Sequence, residues 1–99
     1  MFNIGQYKET ISRLCRKYGI ARCSIFGSAL REDFGAESDI DCLIDFTEDG
    51  GNYFERYFDF KYELEKLFGR KVDLIVEKAI RNPYFKQDVN ETKQLIYAA

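Results

Sequence analysis

The spacing of apolar residues along the chain predicts three amphipathic helices. Apolar side chains recur every three or four residues over 4–18, 53–68 and 83–97. Gly19 and Gly69 stand just past the first two segments, the usual position of a glycine that ends a helix. Each helix therefore has one apolar side that must be covered.

Three short segments rich in apolar and β-branched residues lie between these helices. They span 21–26, about 38–46 and 70–77 and predict strands, and a short helix is predicted to begin at Ala29. The resulting order is α-β-(short α)-β-α-β-α. We therefore expect a single domain over residues 1–99, of the α/β (α+β) class, with a small mixed β-sheet and helices mainly on one face.

Composition fits such a domain and argues against some partners. Of the 99 residues, 45% are hydrophobic and 32% are charged, as in ordinary folded proteins. The 15 basic and 17 acidic residues give a net charge of -2, and no basic stripe stands out. Because nucleic-acid binders normally carry such a stripe, we expect no nucleic-acid polymer as partner, although a single nucleotide remains open.

The cysteines and the missing histidine limit location and chemistry. Cys15, Cys23 and Cys42 stand singly in apolar segments, which predicts reduced core thiols in a cytoplasmic protein. Neither a signal peptide nor an apolar run of the roughly 20 residues that span a membrane is present, so we expect no membrane partner. Since the chain has no histidine, a general base must be a carboxylate, Lys, Tyr or Cys.

Asp39 and Asp41 place two carboxylates on one face of the second predicted strand. Residues i and i+2 of a strand point the same way, with Cα atoms about 7 Å apart. Two such charges repel unless a cation lies between them or one carboxyl is protonated. A hard divalent ion such as Mg²⁺ is the simplest compensation. A solvated strand edge is the alternative that the pair alone leaves open.

Two further features flank this pair in the sequence. Gly27 and Ser28 follow the first strand, where a glycine backbone, free N–H groups and a hydroxyl suit a phosphate. Asp73 is the one acid among the apolar residues of "KVDLIV", a costly place to bury a carboxylate without a partner. An ordinary turn and an exposed edge residue would explain them separately. If the second and third strands are neighbours, Asp73 completes a cluster of three carboxylates.

Taken together, "GSALREDFGAESDID" and the later "KVDLI" resemble the signature of the DNA polymerase β-type nucleotidyltransferases. The chain is most similar to the minimal nucleotidyltransferases of that superfamily, and the likeness extends to the closing segment "LIYAA". The resemblance implies the nucleotidyltransferase fold, ATP as substrate and two Mg²⁺ ions during catalysis.

The family's site residues carry over to five positions of this chain. Its phosphate-binding Gly-Ser falls on Gly27 and Ser28, and its metal-bridging carboxylates fall on Asp39 and Asp41. Its third carboxylate falls on Asp73, which is also the best candidate to orient or deprotonate the acceptor hydroxyl.

The loop after Gly-Ser matches the family less closely. Arg31 matches a basic position that implies a triphosphate contact, although a solvent-facing arginine is the alternative. Ala29 replaces the arginine that commonly follows Gly-Ser, and Glu32 stands where glycine is frequent. Both departures bear on nucleotide affinity and leave the three acids untouched.

The resemblance implies an antitoxin that transfers AMP from ATP to a hydroxyl, expected to be a tyrosine, of a partner HEPN toxin. A different class of function is a non-catalytic module that neutralises its partner by contact, since aromatic residues in 53–68 exceed what one helix stripe can bury. Transfer to a small molecule such as an aminoglycoside is less favoured, because relatives of that kind carry an additional domain. A homodimer and a hetero-oligomer both remain open.

Overall fold

A four-stranded mixed sheet lies at the centre of the computed structural model, which describes residues 3–30, 35, 38–48 and 51–99. The strands are β1 (Ile20–Phe26), β2 (Ile40–Phe46), β3 (Val72–Val76) and β4 (Gln94–Ala98). They lie in the order β3-β2-β1-β4. β1 is antiparallel to β2 and β4, whereas β2 and β3 are parallel. The mixed sheet predicted from the sequence is confirmed.

The described residues form three α-helices that pack on the sheet, and local sequence signals set the ends of these helices. They are α1 (Lys8–Tyr18), α2 (Tyr53–Phe68) and α3 (Pro83–Thr92). Gly19 and Gly69 end α1 and α2 in the left-handed conformation, as predicted. The side chains of Asn52 and Asn82 cap α2 and α3 by accepting backbone N–H bonds of the first turn.

The two faces of the sheet are covered unequally. α1 and α2 cover one face with a large core; its members include Ile11, Cys15, Cys23, Ile25, Ile40, Cys42, Phe60, Leu64 and Val72. α3 covers part of the other face through a smaller cluster of Val89, Phe26 and Leu43. All three cysteines are buried and free, as expected for core thiols. Among the described helices, none is both long and apolar enough to cross a membrane.

The predicted helix over 83–97 is wrong beyond Thr92. Its last part is instead strand β4, which pairs with β1 and adds a strand that the predicted order lacks. The apolar residues Val89 and Ile96 are seven positions apart, a spacing that also fits a helix. The strand prevails because it satisfies the backbone groups along the otherwise open edge of β1.

Two boundaries near the Asp-x-Asp pair also differ from the prediction. β2 begins at Ile40, so Asp39 precedes the strand. The short helix expected from Ala29 is a 3₁₀ turn over Gly27–Leu30.

The outer edge of β3 is covered by side chains of α2. The Glu65 carboxylate accepts a hydrogen bond from the Val72 N–H at 3.0 Å. Two residues along the strand, the Tyr57 hydroxyl donates to the Leu74 carbonyl oxygen at 2.5 Å. These contacts fix α2 against β3 and shield the edge from pairing with another strand.

Arg56 binds backbone carbonyl groups at the end of the sheet where β1 begins. Its guanidinium is buried and donates to the carbonyl oxygens of Tyr18, Gly19 and Gly51. A cation is well placed there, because the C-terminal carbonyls of α1 carry the negative end of the helix dipole.

Candidate active site

The register of the sheet brings two of the predicted acids together. Asp41 on β2 is paired with Asp73 on the parallel strand β3 and, on its other side, with Phe26 at the end of β1. Neighbouring strands lie about 4.8 Å apart, and residues in one row point to the same face. Asp41 and Asp73 therefore lie side by side on the face that α3 covers only in part. The condition on which a carboxylate cluster depended, adjacent second and third strands, is met.

Gly27 brings the backbone close to this row. It follows Phe26 directly and has a φ of 72°, a conformation that residues with a side chain rarely adopt. A Cβ atom at this position would clash with the Oδ2 atom of Asp41. Glycine is thus required here both for its backbone angle and because the Asp41 carboxylate occupies the space of a side chain.

The three predicted acids differ in accessibility. Asp41 is half-buried, whereas Asp39 and Asp73 are exposed. In the described residues, no group of three or more acidic, cysteine or histidine side chains is close enough as it stands to hold a metal ion. The strand register therefore places two of the carboxylates as neighbours, and Asp39 lies just before Ile40, where β2 begins.

Among the remaining residues of the predicted Gly-Ser loop, the structure describes Ser28 and Ala29. Ser28 lies in the turn Gly27–Leu30, directly after Gly27. Ala29 is completely buried in the main core, so its side chain packs inside the protein. Arg31 and Glu32 lie outside the described residues.

A cavity of about 510 Å³ opens beside Gly27. Its lining residues are Phe26, Gly27, Leu30, Phe85, Asp88 and Thr92. The Phe26 and Phe85 rings meet edge to face, with centroids 6.1 Å apart. Sequence reasoning missed the contribution of α3 because only the packing of this helix against the sheet brings Phe85 and Asp88 beside Gly27.

A second acidic group occupies the far end of the same face. The Asp45 carboxyl is buried, receives a 3.5 Å contact from Arg22 and leaves its Oδ1 atom without a hydrogen-bond donor. Burial and the neighbouring Glu77 carboxylate raise the pKa of Asp45. Burial also acts to raise the pKa of Glu77, but Asp45 and the Lys93 ammonium hold it below its usual value. Of these two neighbouring carboxyl groups, Asp45 is thus the one whose protonated form the fold favours.

Comparison with known proteins identifies the family of this chain. Residues 7–96 match the family model described as a nucleotidyltransferase domain. A provisionally named protein adenylyltransferase of Methanocaldococcus jannaschii is 38% identical over 101 aligned positions, which cover 98% of this chain and 99% of that protein.

Solved structures share the fold. A provisionally named minimal nucleotidyltransferase superposes with a TM-score of 0.77 and 28% identity, over 92% of this chain and 90% of the other. A chain from a tri-AMPylated HEPN toxin of Shewanella oneidensis in complex with an MNT antitoxin gives a TM-score of 0.68 at 16% identity, over 98% of this chain and 74% of that one. With the sheet register, the Gly27 turn and the match over 7–96 in agreement, the chain belongs to the nucleotidyltransferase domain family.

Proposed function

We propose that this chain transfers AMP from ATP to a tyrosine hydroxyl of a partner HEPN toxin and thereby acts as its antitoxin. The observation that carries the proposal is the row in which Asp41 and Asp73 adjoin beside the Gly27 turn. Two comparisons support it: a relative named for protein adenylylation, and a shared fold with a complex that contains an AMPylated HEPN toxin.

The carboxylates suit a magnesium site. Asp39, Asp41 and Asp73 supply oxygen donors, the ligands that Mg²⁺ prefers, and the absence of a side chain at Gly27 lets the Asp41 carboxylate lie against the backbone of the turn. These three residues would hold the metal. Bound Mg²⁺ would neutralise charge on the triphosphate during transfer.

The proposed reaction is a single transfer of AMP to the tyrosine oxygen. The tyrosine oxygen forms a bond to the α-phosphorus of ATP, the bond from that phosphorus to the β-phosphate oxygen breaks, and pyrophosphate leaves. The proton of the tyrosine hydroxyl passes to the Asp73 carboxylate, which is exposed and therefore accessible to a protein acceptor. Backbone N–H groups of the turn Gly27–Leu30 bind the phosphates.

The cavity beside Gly27 is a suitable place for the nucleoside. Its volume of about 510 Å³ lies in the range of small-molecule sites. The Phe26 and Phe85 rings offer apolar surface to a base, while Asp88 and Thr92 offer polar atoms. We propose that ATP lies with its phosphates at Gly27 and its nucleoside in this cavity.

The test combines the purified chain, the product of the neighbouring gene, which the proposal expects to be a HEPN-domain protein, and labelled ATP with Mg²⁺. We expect label on the partner with the parent protein and loss of at least about a hundredfold in rate for Asp73→Asn, the usual scale for removing a general base. Glu9→Gln, which neutralises an exposed carboxylate on α1, is the matched control and should keep the parent rate. A folded parent protein that transfers no label would contradict the proposal.

The same material separates chemistry from neutralisation by contact. The double variant Asp39→Asn/Asp41→Asn removes two charges and preserves side-chain shape. If AMP transfer neutralises the toxin, the double variant loses neutralisation while still binding the partner. Full neutralisation by this variant would instead establish the contact mechanism.

A further inference from the structure

We propose that the exposed face of α2 joins two copies of this chain in an antiparallel, two-fold dimer. The surface in question is an aromatic stripe formed by Phe54, Phe58 and Tyr62. It lies on the side of the helix that faces away from Phe60 and Leu64, which are completely buried.

The stripe exposes an unusual amount of aromatic surface. Phe54, Phe58 and Tyr62 are 74%, 50% and 63% exposed. They stand four residues apart, so they follow one another along the helix, and the Phe54 and Phe58 ring centroids are 4.9 Å apart. A continuous row of exposed rings on a small domain marks an interaction surface, since each ring gains by leaving water.

The charges beside the stripe are arranged to complement a second copy. Glu55 and Asp59 lie in the N-terminal half of α2, and Lys66 lies in its C-terminal half. At 100° per residue all three fall within about 40° of one another, on the same flank of the stripe. When two identical helices pack antiparallel about a two-fold axis, this flank meets its own copy, reversed. The acids of one helix then face Lys66 of the other, and symmetry repeats the contact.

Lys66 is available for this role. Its side chain is 64% exposed, and its contacts within the described part of the chain are to neighbours on α2: Glu63 at 3.7 Å and the Tyr62 ring at 5.8 Å. In the dimer the Lys66 ammonium would lie beside the Tyr62 ring of its own helix and contact the acids of the second copy. Phe58 of one helix would pack against Tyr62 of the other near the axis.

The position of α2 makes such a dimer compatible with catalysis. α2 covers the sheet face that carries Ile40 and Val72, whereas Asp41 and Asp73 point from the opposite face. A dimer through α2 therefore leaves both candidate active sites open to a partner protein.

The test is the mass in solution, measured by light scattering over a concentration series. The parent chain should show about twice the 11.7 kDa of one chain. Phe58→Ser should be monomeric, while Tyr84→Ser, which removes a ring that is 83% exposed on α3, should remain dimeric. Circular dichroism and melting curves confirm that each variant is folded.

A charge exchange tests the antiparallel arrangement itself. Lys66→Glu and the double variant Glu55→Lys/Asp59→Lys should each weaken the dimer by about tenfold, because like charges then meet twice. An equimolar mixture of the two should recover dimerisation as a mixed dimer, in which opposite charges meet again.

Three results would overturn the inference. A parent chain that is monomeric at high concentration excludes the dimer. A dimer that Phe58→Ser leaves intact must use another surface. A parent that is monomeric alone but loses HEPN binding on Phe58→Ser uses the stripe for the heterologous partner instead. None of these results depends on AMP transfer, so the proposed function is tested separately.

Discussion

Gly27 is the residue at which backbone geometry and chemistry depend on each other most closely. Its φ of 72° lets the chain turn directly after β1, and the Asp41 carboxylate occupies the space that a side chain at this position would need. The sequence indicated a close approach at Gly-Ser, but it could not show which side chain the glycine approaches. That neighbour follows from the pairing of Phe26 with Asp41, two residues that lie fifteen positions apart in the chain.

Gly27→Ala should therefore lower both stability and AMP transfer. The matched control is Gly69→Ala, because Gly69 has a similar φ of 68° but open space where a Cβ would lie. The control should lose about 1 kcal/mol of unfolding free energy from backbone strain alone. Gly27→Ala should lose more, since the methyl group also displaces Asp41. Urea unfolding of both variants measures the difference, and equal losses would show that the clash is relieved without cost.

Asp45 should make the stability of the folded protein depend on pH. Because its pKa is raised in the folded protein, folding favours the protonated form. The stability from this proton is fully present below the ordinary aspartate pKa and is lost as the pH rises through the raised value. Asp45→Asn stays neutral, so it should be more stable than the parent at pH 7, with the gain shrinking towards pH 4. Melting curves across this range test it, with Glu9→Gln at an exposed position of α1 as control; a destabilised Asp45→Asn at pH 7 would contradict it.

At the scale of elements, local sequence signals predicted most of the helices and strands. They failed where an element forms by pairing or packing with a distant part of the chain. α2 was predicted with its observed ends because Asn52 and Gly69 bound it in the sequence. β4 was missed because its partner, β1, lies some seventy residues earlier and its own spacing also fits a helix. The same limit applies to the cavity beside Gly27, whose α3 wall depends on the packing of Val89.

The contact of α2 with β3 yields a prediction at this scale. The Val72 N–H lowers the pKa of Glu65, an effect that partial burial opposes and Lys61 reinforces. The folded pKa therefore lies below the unfolded one, so this stabilisation is present above the ordinary glutamate pKa and is lost as the pH falls through the folded value. Glu65→Ala should lose about 1–2 kcal/mol at pH 7 and less in acid.

The matched control for Glu65 is Glu63→Ala, which removes a carboxylate that lies 3.7 Å from the exposed Lys66 ammonium on the same helix. It should change the unfolding free energy by less than about 0.5 kcal/mol. Amide hydrogen exchange gives an independent reading, because Val72 should lose protection only when Glu65 is removed. Unchanged protection at Val72 would mean that the contact does not hold the edge of β3.

At the scale of the whole molecule, the two faces of the sheet have different roles: one carries the main core and the other carries the candidate active-site acids. One face carries the main core beneath α1 and α2, and the other carries Asp41 and Asp73 beside the smaller cluster under α3. Acids on the second face therefore contribute little to packing. The sequence predicted Asp41 and Asp73 as site residues from the Asp-x-Asp spacing, the later acid in an apolar strand and the resemblance to the nucleotidyltransferase signature.

ATP and Mg²⁺ should stabilise the folded protein as a whole. Ligand that binds only the folded state raises stability by about 2.7 kcal/mol at one hundred times its dissociation constant. Without ligand, Asp39→Asn/Asp41→Asn should melt at the parent temperature or above, because it removes like charges that lie close together. With ATP and Mg²⁺ added, the melting temperature should rise for the parent but not for the double variant. A double variant that unfolds without ligand would show that these acids stabilise the fold.

The most direct test of AMP transfer follows the position of the label in ATP. The purified chain and its HEPN-domain partner are incubated with Mg²⁺ and ATP labelled at either the α- or the γ-phosphate. We predict that α-label appears on a tyrosine of the partner, that γ-label does not, and that Asp73→Asn abolishes the transfer. Transfer of the γ-label, or of neither label by a folded protein, would contradict the account.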